Sequence, residues 1–215
     1  MIFIFAKVEQ PNNMKQKGCP HCEIDSFALI HPLEETKNFW IVCDAHPLVE
    51  GHILIIPKNH ISCIGKYNEK LFNEFLLLYK KVYDFVIKTY GSVCVFEHGI
   101  IGQTVFHSHV HFLSFNGKEE QIIPEGKSFL FPLEKIHNLK DIFIKNNQYL
   151  FFSIEDRMWT VDCKIGKPRF FRDRFANALN VSERGNWREM EENKVLMKKA
   201  NKEINNLEKL WKNIQ

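Results

Sequence analysis

The chain has 215 residues, with 29 Lys and Arg against 26 Asp and Glu, a formal net charge of +3. Its 45% hydrophobic and 26% charged content is ordinary globular composition, which excludes disordered and collagen-like classes and leaves one domain with an appendage or two small ones, with a core that needs no disulfide staples. Residues 167–215 hold twelve Lys and Arg against seven Asp and Glu, so the basic excess belongs to the C-terminal part; a solvated helix face accounts for it, and nucleic acid is not expected as a partner.

The opening MIFIFAKVE offers a five-residue apolar run with no cationic lead. That is too short for a signal sequence or a membrane span, so a cytoplasmic protein that engages no membrane is expected. Residues 10–18 are polar and read as a loop. FWIVCD (39–44) and HILIIP (52–57) read as strands joined by a Pro- and Gly-punctuated turn. From Asn68 to Tyr90, apolar residues recur at three- and four-residue steps, which predicts one long amphipathic helix capped by Asn68 and ended by Gly91. SVCVFEHG (92–99) and HSHVHFLSF (107–115) read as two more strands. This order predicts the α+β class, an antiparallel sheet of about five strands backed by a long helix. Beyond residue 118 the pattern predicts a separate α/β extension: a hairpin at 149–155 and 158–162, a short helix at 170–179, and a closing amphipathic helix from Lys194 to Ile214.

Three constellations carry chemistry. His107, His109 and His111 alternate with Ser108, Val110 and Phe112, a period of two that puts three imidazoles on one strand face. Such a row can bind metal, relay protons or supply a nucleophile, and spacing alone does not choose. Cys19-Pro20-His21-Cys22 can bring two thiolates onto one zinc ion that takes two further ligands. The competing reading is a thiol-disulfide oxidoreductase using Cys19 and Cys22, a chemistry that wants its first cysteine at a helix N-terminus after a buried strand. His52 and His60 flank the third segment, GHILIIPKNH, and offer two more imidazoles to a common site. In a reducing compartment Cys43, Cys63 and Cys94, each inside an apolar run, read as core; Cys163 has no assignment.

With these segments in hand, the chain resembles the histidine-triad (HIT) superfamily of nucleotide hydrolases and nucleotidyltransferases. The resemblance rests on Cys19-x-x-Cys22, Asp44 followed by Pro47 and GHILIIPKNH, and Gly102-Gln103-Thr104 leading into His107-x-His109-x-His111, and it covers residues 19–115. It implies that His109 is the nucleophile attacking the α-phosphorus, that His111 contacts phosphate oxygens or leaving group, and that His52 lines the same pocket. It further implies phosphate contacts from Gln103 and Thr104, ribose contact from Asp44, and a structural zinc on Cys19, Cys22, His60 and His107. A homodimer with sheets paired across a two-fold axis is expected on the same ground.

Two positions depart from the pattern. Phe96 stands where many members place asparagine, and Ser114-Phe115 where many place proline. Glu97-His98-Gly99 and the segment Lys167-Pro-Arg-Phe-Phe-Arg172 are similar to a less studied, hydrolase-like branch, in which Arg169 and Arg172 would reach distal phosphates of a long substrate. The leading expectation is hydrolysis of a nucleotidyl-phosphate bond in a dinucleoside polyphosphate or nucleoside phosphoramidate. A nucleotidyltransferase or phosphorylase using the same intermediate, and a catalytically weak nucleotide-binding protein, are the alternatives.

Overall fold

A computed structural model describes residues 15–213; the N-terminal apolar run and Ile214 lie outside them. The strands are β1 (Pro32–Glu35), β2 (Phe39–Cys43), β3 (Ile53–Pro57), β4 (Cys94–Gly99), β5 (Val110–Leu113), β6 (Leu130–Leu133), β7 (Tyr149–Ile154) and β8 (Arg157–Val161). The helices are α1 (Glu69–Tyr90), α2 (Glu119–Ile122), α3 (Asn138–Asn146), α4 (Phe170–Ala178), α5 (Trp187–Glu192) and α6 (Lys194–Lys212). The fold is α+β with a wholly antiparallel sheet.

The sheet has eight strands in the order β1-β2-β3-β5-β4-β7-β8-β6, more than the five expected. The difference comes from the C-terminal region, whose strands join the same sheet: β7 pairs along all of β4, from Cys94 opposite Ile154 to Gly99 opposite Tyr149. β1 and β6 lack a clear alternation of apolar and polar residues. Two of the four residues of β1 are glutamates, and a proline interrupts β6. Their pairing to β2 and β8 defines them, and no local pattern announces them.

Both faces of the sheet are covered, which is why β3, β4, β5 and β7 are buried at every position instead of alternating. On one face, α1 buries Leu71, Phe72, Phe75, Leu78, Val82, Phe85 and Val86 against Ile41, Ile53, Val95, Val110 and Phe151. Each such side chain contributes about 1.5–3 kcal/mol. The caps fall as expected: Asn68 accepts from the Leu71 amide at 2.9 Å, and Gly91 ends the helix in the left-handed conformation at φ 81°. On the other face α4 buries Phe170, Phe171, Phe175 and Ala176 against Phe96, Phe152 and Trp159. Successive β4 residues therefore serve opposite layers: Val95 and Glu97 face α1, Phe96 and His98 face α4. The closing helix α6 buries Ala200, Ile204, Leu207 and Trp211, with the Trp211 ring 4.7 Å from Phe85. Cys43, Cys63 and Cys94 are buried as core residues. Among the described residues no helix is long and apolar enough to cross a membrane.

Candidate active site and metal centre

The triad does not lie on one strand. β5 begins only at Val110, so His111 is in the ladder while His107 and His109 lie on the irregular segment before it. The cause is the loop ahead of them, which turns through Ile100 at φ 87° and Gly102 at φ 84°. It delivers Ser108 to the 61–64 segment instead of a strand: the Ser108 amide donates to the Ile61 carbonyl at 2.6 Å. A Cβ on Gly102 would meet the His98 ring at 2.7 Å and the Lys167 carbonyl at 2.9 Å, so the loop needs glycine for space as well as for φ.

This departure from the ladder divides the histidines between two clusters. Cys19, Cys22, His60 and His107 offer donor atoms that all lie within 4.8 Å of one another. His107 Nδ1 stands 3.5 Å from Cys19 Sγ and 3.4 Å from Cys22 Sγ, and His60 Nδ1 stands 3.4 Å from Cys22 Sγ. His107 donates its other nitrogen, Nε2–H, to the Pro57 carbonyl at 2.8 Å, which leaves the Nδ1 lone pair directed at the sulfurs. Burial and the nearby Cys22 sulfur push the Cys19 thiol up to about 11 against the pull of the His21 amide, and burial lowers His107 to about 3. Two thiols and two neutral imidazoles are a donor set compatible with a closed, four-ligand zinc site. The cysteines sit in turns, with no helix starting at Cys19 among the described residues, unlike the arrangement redox chemistry wants.

The second cluster is Asp44, His52 and His111. Its hydrogen bonds fix the tautomers in sequence. The Leu48 amide donates to His52 Nδ1 at 3.1 Å, so His52 carries its proton on Nε2 and donates it to His111 Nδ1 at 2.9 Å. His111 then carries its proton on Nε2, a buried nitrogen with no partner among the described residues. His109 donates Nδ1–H to the His107 carbonyl at 2.7 Å, which leaves its Nε2 as a free lone pair. Burial lowers His52 to about 4, and lowers His109 and His111 below the ordinary histidine range, so all three are neutral near pH 7.

Asp44, Thr104, His109, His111 and Arg172 line one pocket, with His52 hydrogen-bonded behind His111. Gln103 lies outside the lining and donates its amide to the Ser62 carbonyl at 2.6 Å. Arg172 enters from α4 and is fully engaged: it donates to Asp44 Oδ2 and to the His46 carbonyl, each at 2.7 Å, with both side chains of the ion pair only 8% exposed. Burial would raise the Asp44 carboxyl, but the Arg172 guanidinium and His52 hold it below the ordinary carboxylate value. Asp44 Oδ1 accepts from the His46 amide at 2.8 Å. Arg169 is outside the pocket lining and bonds Asp173 at 3.3 Å.

Three residues of β4 that the sequence singles out without a role contribute to the site. Phe96 stacks on the His111 ring at 4.2 Å and 17°, and on Phe175 at 5.2 Å, so the residue that departs from the family pattern sets a histidine ring plane. His98 accepts the Phe171 amide on Nε2 at 3.1 Å and thereby holds the N-terminus of α4, the helix that carries Arg172. Glu97, fully buried, accepts from the Ser108 hydroxyl at 2.7 Å, the Ile64 amide at 3.0 Å and the Tyr149 hydroxyl. The available signal was an acid standing on the same strand face as Val95.

A family model described as HIT domain matches residues 23–117. An uncharacterised HIT-like protein of Mycoplasma genitalium is 30% identical over 101 residues, 45% of this chain and 72% of that protein. A second, from Chlamydia trachomatis, is 35% identical over 86 residues, 37% of this chain and 75% of that protein. Among solved structures, a HIT family protein from Bacillus anthracis is 21% identical, with a TM-score of 0.42 over 62% of this chain and 99% of that one. The triad, the upstream cysteine and histidine segments, the family model and the Mycoplasma and Chlamydia relatives agree, and the chain belongs to the HIT family.

Proposed function

We propose that this protein is a nucleotide hydrolase that cleaves a nucleotidyl-phosphate bond through a covalent nucleotidyl intermediate on His109. The observation that carries the reading is the His109 tautomer: a backbone carbonyl holds the proton on Nδ1, so a neutral imidazole presents a nucleophilic Nε2 in the pocket it lines. The lone pair attacks the α-phosphorus, the bond to the leaving group breaks, and water then cleaves the phosphorus–nitrogen bond, releasing nucleoside monophosphate. The unpartnered His111 Nε2–H is the donor available to a phosphoryl oxygen or to the leaving group, and its orientation is enforced by His52 and the Leu48 amide. Thr104 adds a hydroxyl to the same pocket. Substrates of the dinucleoside polyphosphate or nucleoside 5′-phosphoramidate class fit this chemistry.

Cys19, Cys22, His60 and His107 would hold a structural zinc ion. With four protein ligands it keeps no open position for water, and the chemistry it supplies is a tie between the Cys19–Cys22 turn and the segment leading to His109. A homodimer formed by sheet pairing would use β1 or β6, because these strands end the sheet.

The test is a mass-spectrometric panel of mononucleotide conjugates and dinucleoside polyphosphates, run with and without inorganic phosphate. Release of nucleoside monophosphate independent of phosphate is expected, with a loss of at least about 10³-fold in His109→Ala, the order expected when a nucleophile is removed. Turnover that survives in His109→Ala overturns the mechanism, and phosphate-dependent release of nucleoside diphosphate identifies a phosphorylase instead.

A further inference from the structure

His21 stands between the two cysteines of the metal cluster, yet it belongs to the pocket. Its ring meets the His109 ring edge-on at 4.8 Å and 66°, and the His107 ring at 5.4 Å and 80°. It lines the same pocket as His109, His111 and Thr104. The side chain is only 5% exposed, and its Nδ1 is buried with no hydrogen-bond partner among the described residues. Buried imidazole nitrogens are normally satisfied, and an apolar residue would fill this space without leaving an orphan. Other lining positions show that apolar residues suit this wall: Ala28, Leu54 and Val105 occupy it.

The backbone explains how the ring is aimed. Cys22 donates its amide to the Cys19 carbonyl at 2.9 Å and Glu23 donates to the same carbonyl at 3.3 Å, a tight turn whose two ends are the sulfur donors. Pro20 and His21 form its tip, so fixing both cysteines also fixes the direction of His21.

We propose that His21 is a further substrate-contacting residue, whose imidazole N–H hydrogen-bonds an oxygen of the phosphoryl group attacked by His109. This rests on the proposed nucleotide reading and deepens it by naming a contact to the phosphoryl group in addition to the triad. The location selects that group. A ring packed edge-on against the nucleophile is close to the group that the nucleophile attacks, where His111 Nε2–H supplies one donor, while the guanidinium of Arg172 is already committed to Asp44 and a backbone carbonyl. No proton is transferred; the contact is a hydrogen bond from a neutral ring.

The experiment measures AMP and adenosine binding by calorimetry to the wild-type protein, His21→Phe and His21→Asn, with metal content and thermal midpoint determined on the same samples. Phenylalanine keeps the ring and removes the donor; asparagine restores an N–H. Expected is at least a tenfold loss of AMP affinity in His21→Phe, adenosine affinity within twofold of wild type, partial recovery in His21→Asn, and unchanged metal content. AMP affinity within twofold of wild type in His21→Phe overturns the proposal. So does an equal loss for adenosine, which would place the contact elsewhere on the nucleotide, or a loss that tracks departure of the metal, which would make His21 structural. If the wild-type protein binds neither ligand, the nucleotide reading itself fails and the proposal with it. If the wild type binds AMP and His21→Phe binds it equally well, the nucleotide reading stands and the assignment of His21 alone fails.

Discussion

The molecule holds two clusters of histidine with other ligating groups, fed by the same short segment, and they solve opposite electrostatic problems. In the first, Cys19 and Cys22 face the Nδ1 atoms of His60 and His107, with no positively charged side chain among the four donors. In the second, Asp44 is already neutralised by Arg172 at 2.7 Å, and the imidazoles of His52 and His111 are linked to each other by a hydrogen bond. Both groups have the spacing of a metal site, but only the first has room in its charge balance for a divalent cation. The difference teaches that proximity of ligating atoms is a weak criterion; where each proton and each counter-charge sits decides what a cluster does.

The sharpest way to break this comparison is metal stoichiometry. One zinc ion per chain is expected by plasma emission analysis, falling to none in Cys22→Ala and staying at one in Asp44→Asn. Retention of metal in Cys22→Ala, or its loss in Asp44→Asn, would reverse the two assignments.

The next effect is on stability. Arg172→Ala leaves the Asp44 carboxylate buried beside two neutral imidazoles, and should lower unfolding free energy by about 3–5 kcal/mol in urea melts. A change below about 1 kcal/mol, the range of exposed ion pairs, would show that the pair contributes little.

Much of this site was legible in the sequence because its residues lie in compact motifs with fixed spacing. Cys19, Cys22, His52, His60, His107, His109 and His111 sit within three short segments, and their local order determines their possible company. The helix from residue 68 to 90 was legible for the same reason, since its cap and its period are local. Arg172 was legible as a candidate but not in its partner: the Asp44 carboxylate is 128 residues away, and the contact depends on α4 packing across the sheet. The sheet extension was hidden likewise. The hairpin of β7 and β8 shows in the sequence, but the pairing of β7 with β4 is a tertiary choice. The period-two reading of the triad failed at its start, because a loop with two positive φ values holds His107 and His109 out of the ladder.

A smaller effect separates two buried carboxylates. Burial works to raise Asp44, but Arg172 and His52 hold it low; Glu97 has no cation beside it among the described residues, and burial raises it to about 7 despite its hydroxyl and amide donors. The ordinary value is 4.5, so between pH 4.5 and 7 the folded protein keeps a proton that the unfolded chain releases. Stability from this group is therefore present at low pH and falls as pH rises through that window, by roughly 3 kcal/mol at most. The buried neutral histidines push total stability the other way over this range, so the Glu97 contribution is read as a difference: from pH 5 to pH 8 in urea melts, wild-type stability should drop relative to that of Glu97→Gln. A gap between the two proteins that is the same at both pH values would rule out this role for Glu97.

The central claim is that His109 Nε2 becomes bonded to phosphorus during turnover. The direct measurement is rapid quenching with substrate under alkaline conditions, which preserve phosphorus–nitrogen bonds, followed by peptide mass spectrometry. A nucleoside monophosphate adduct is expected on the peptide containing His109, assigned to that residue and absent in His109→Ala. Steady turnover with no adduct on this peptide at any quench time, or an adduct on another histidine, would contradict it.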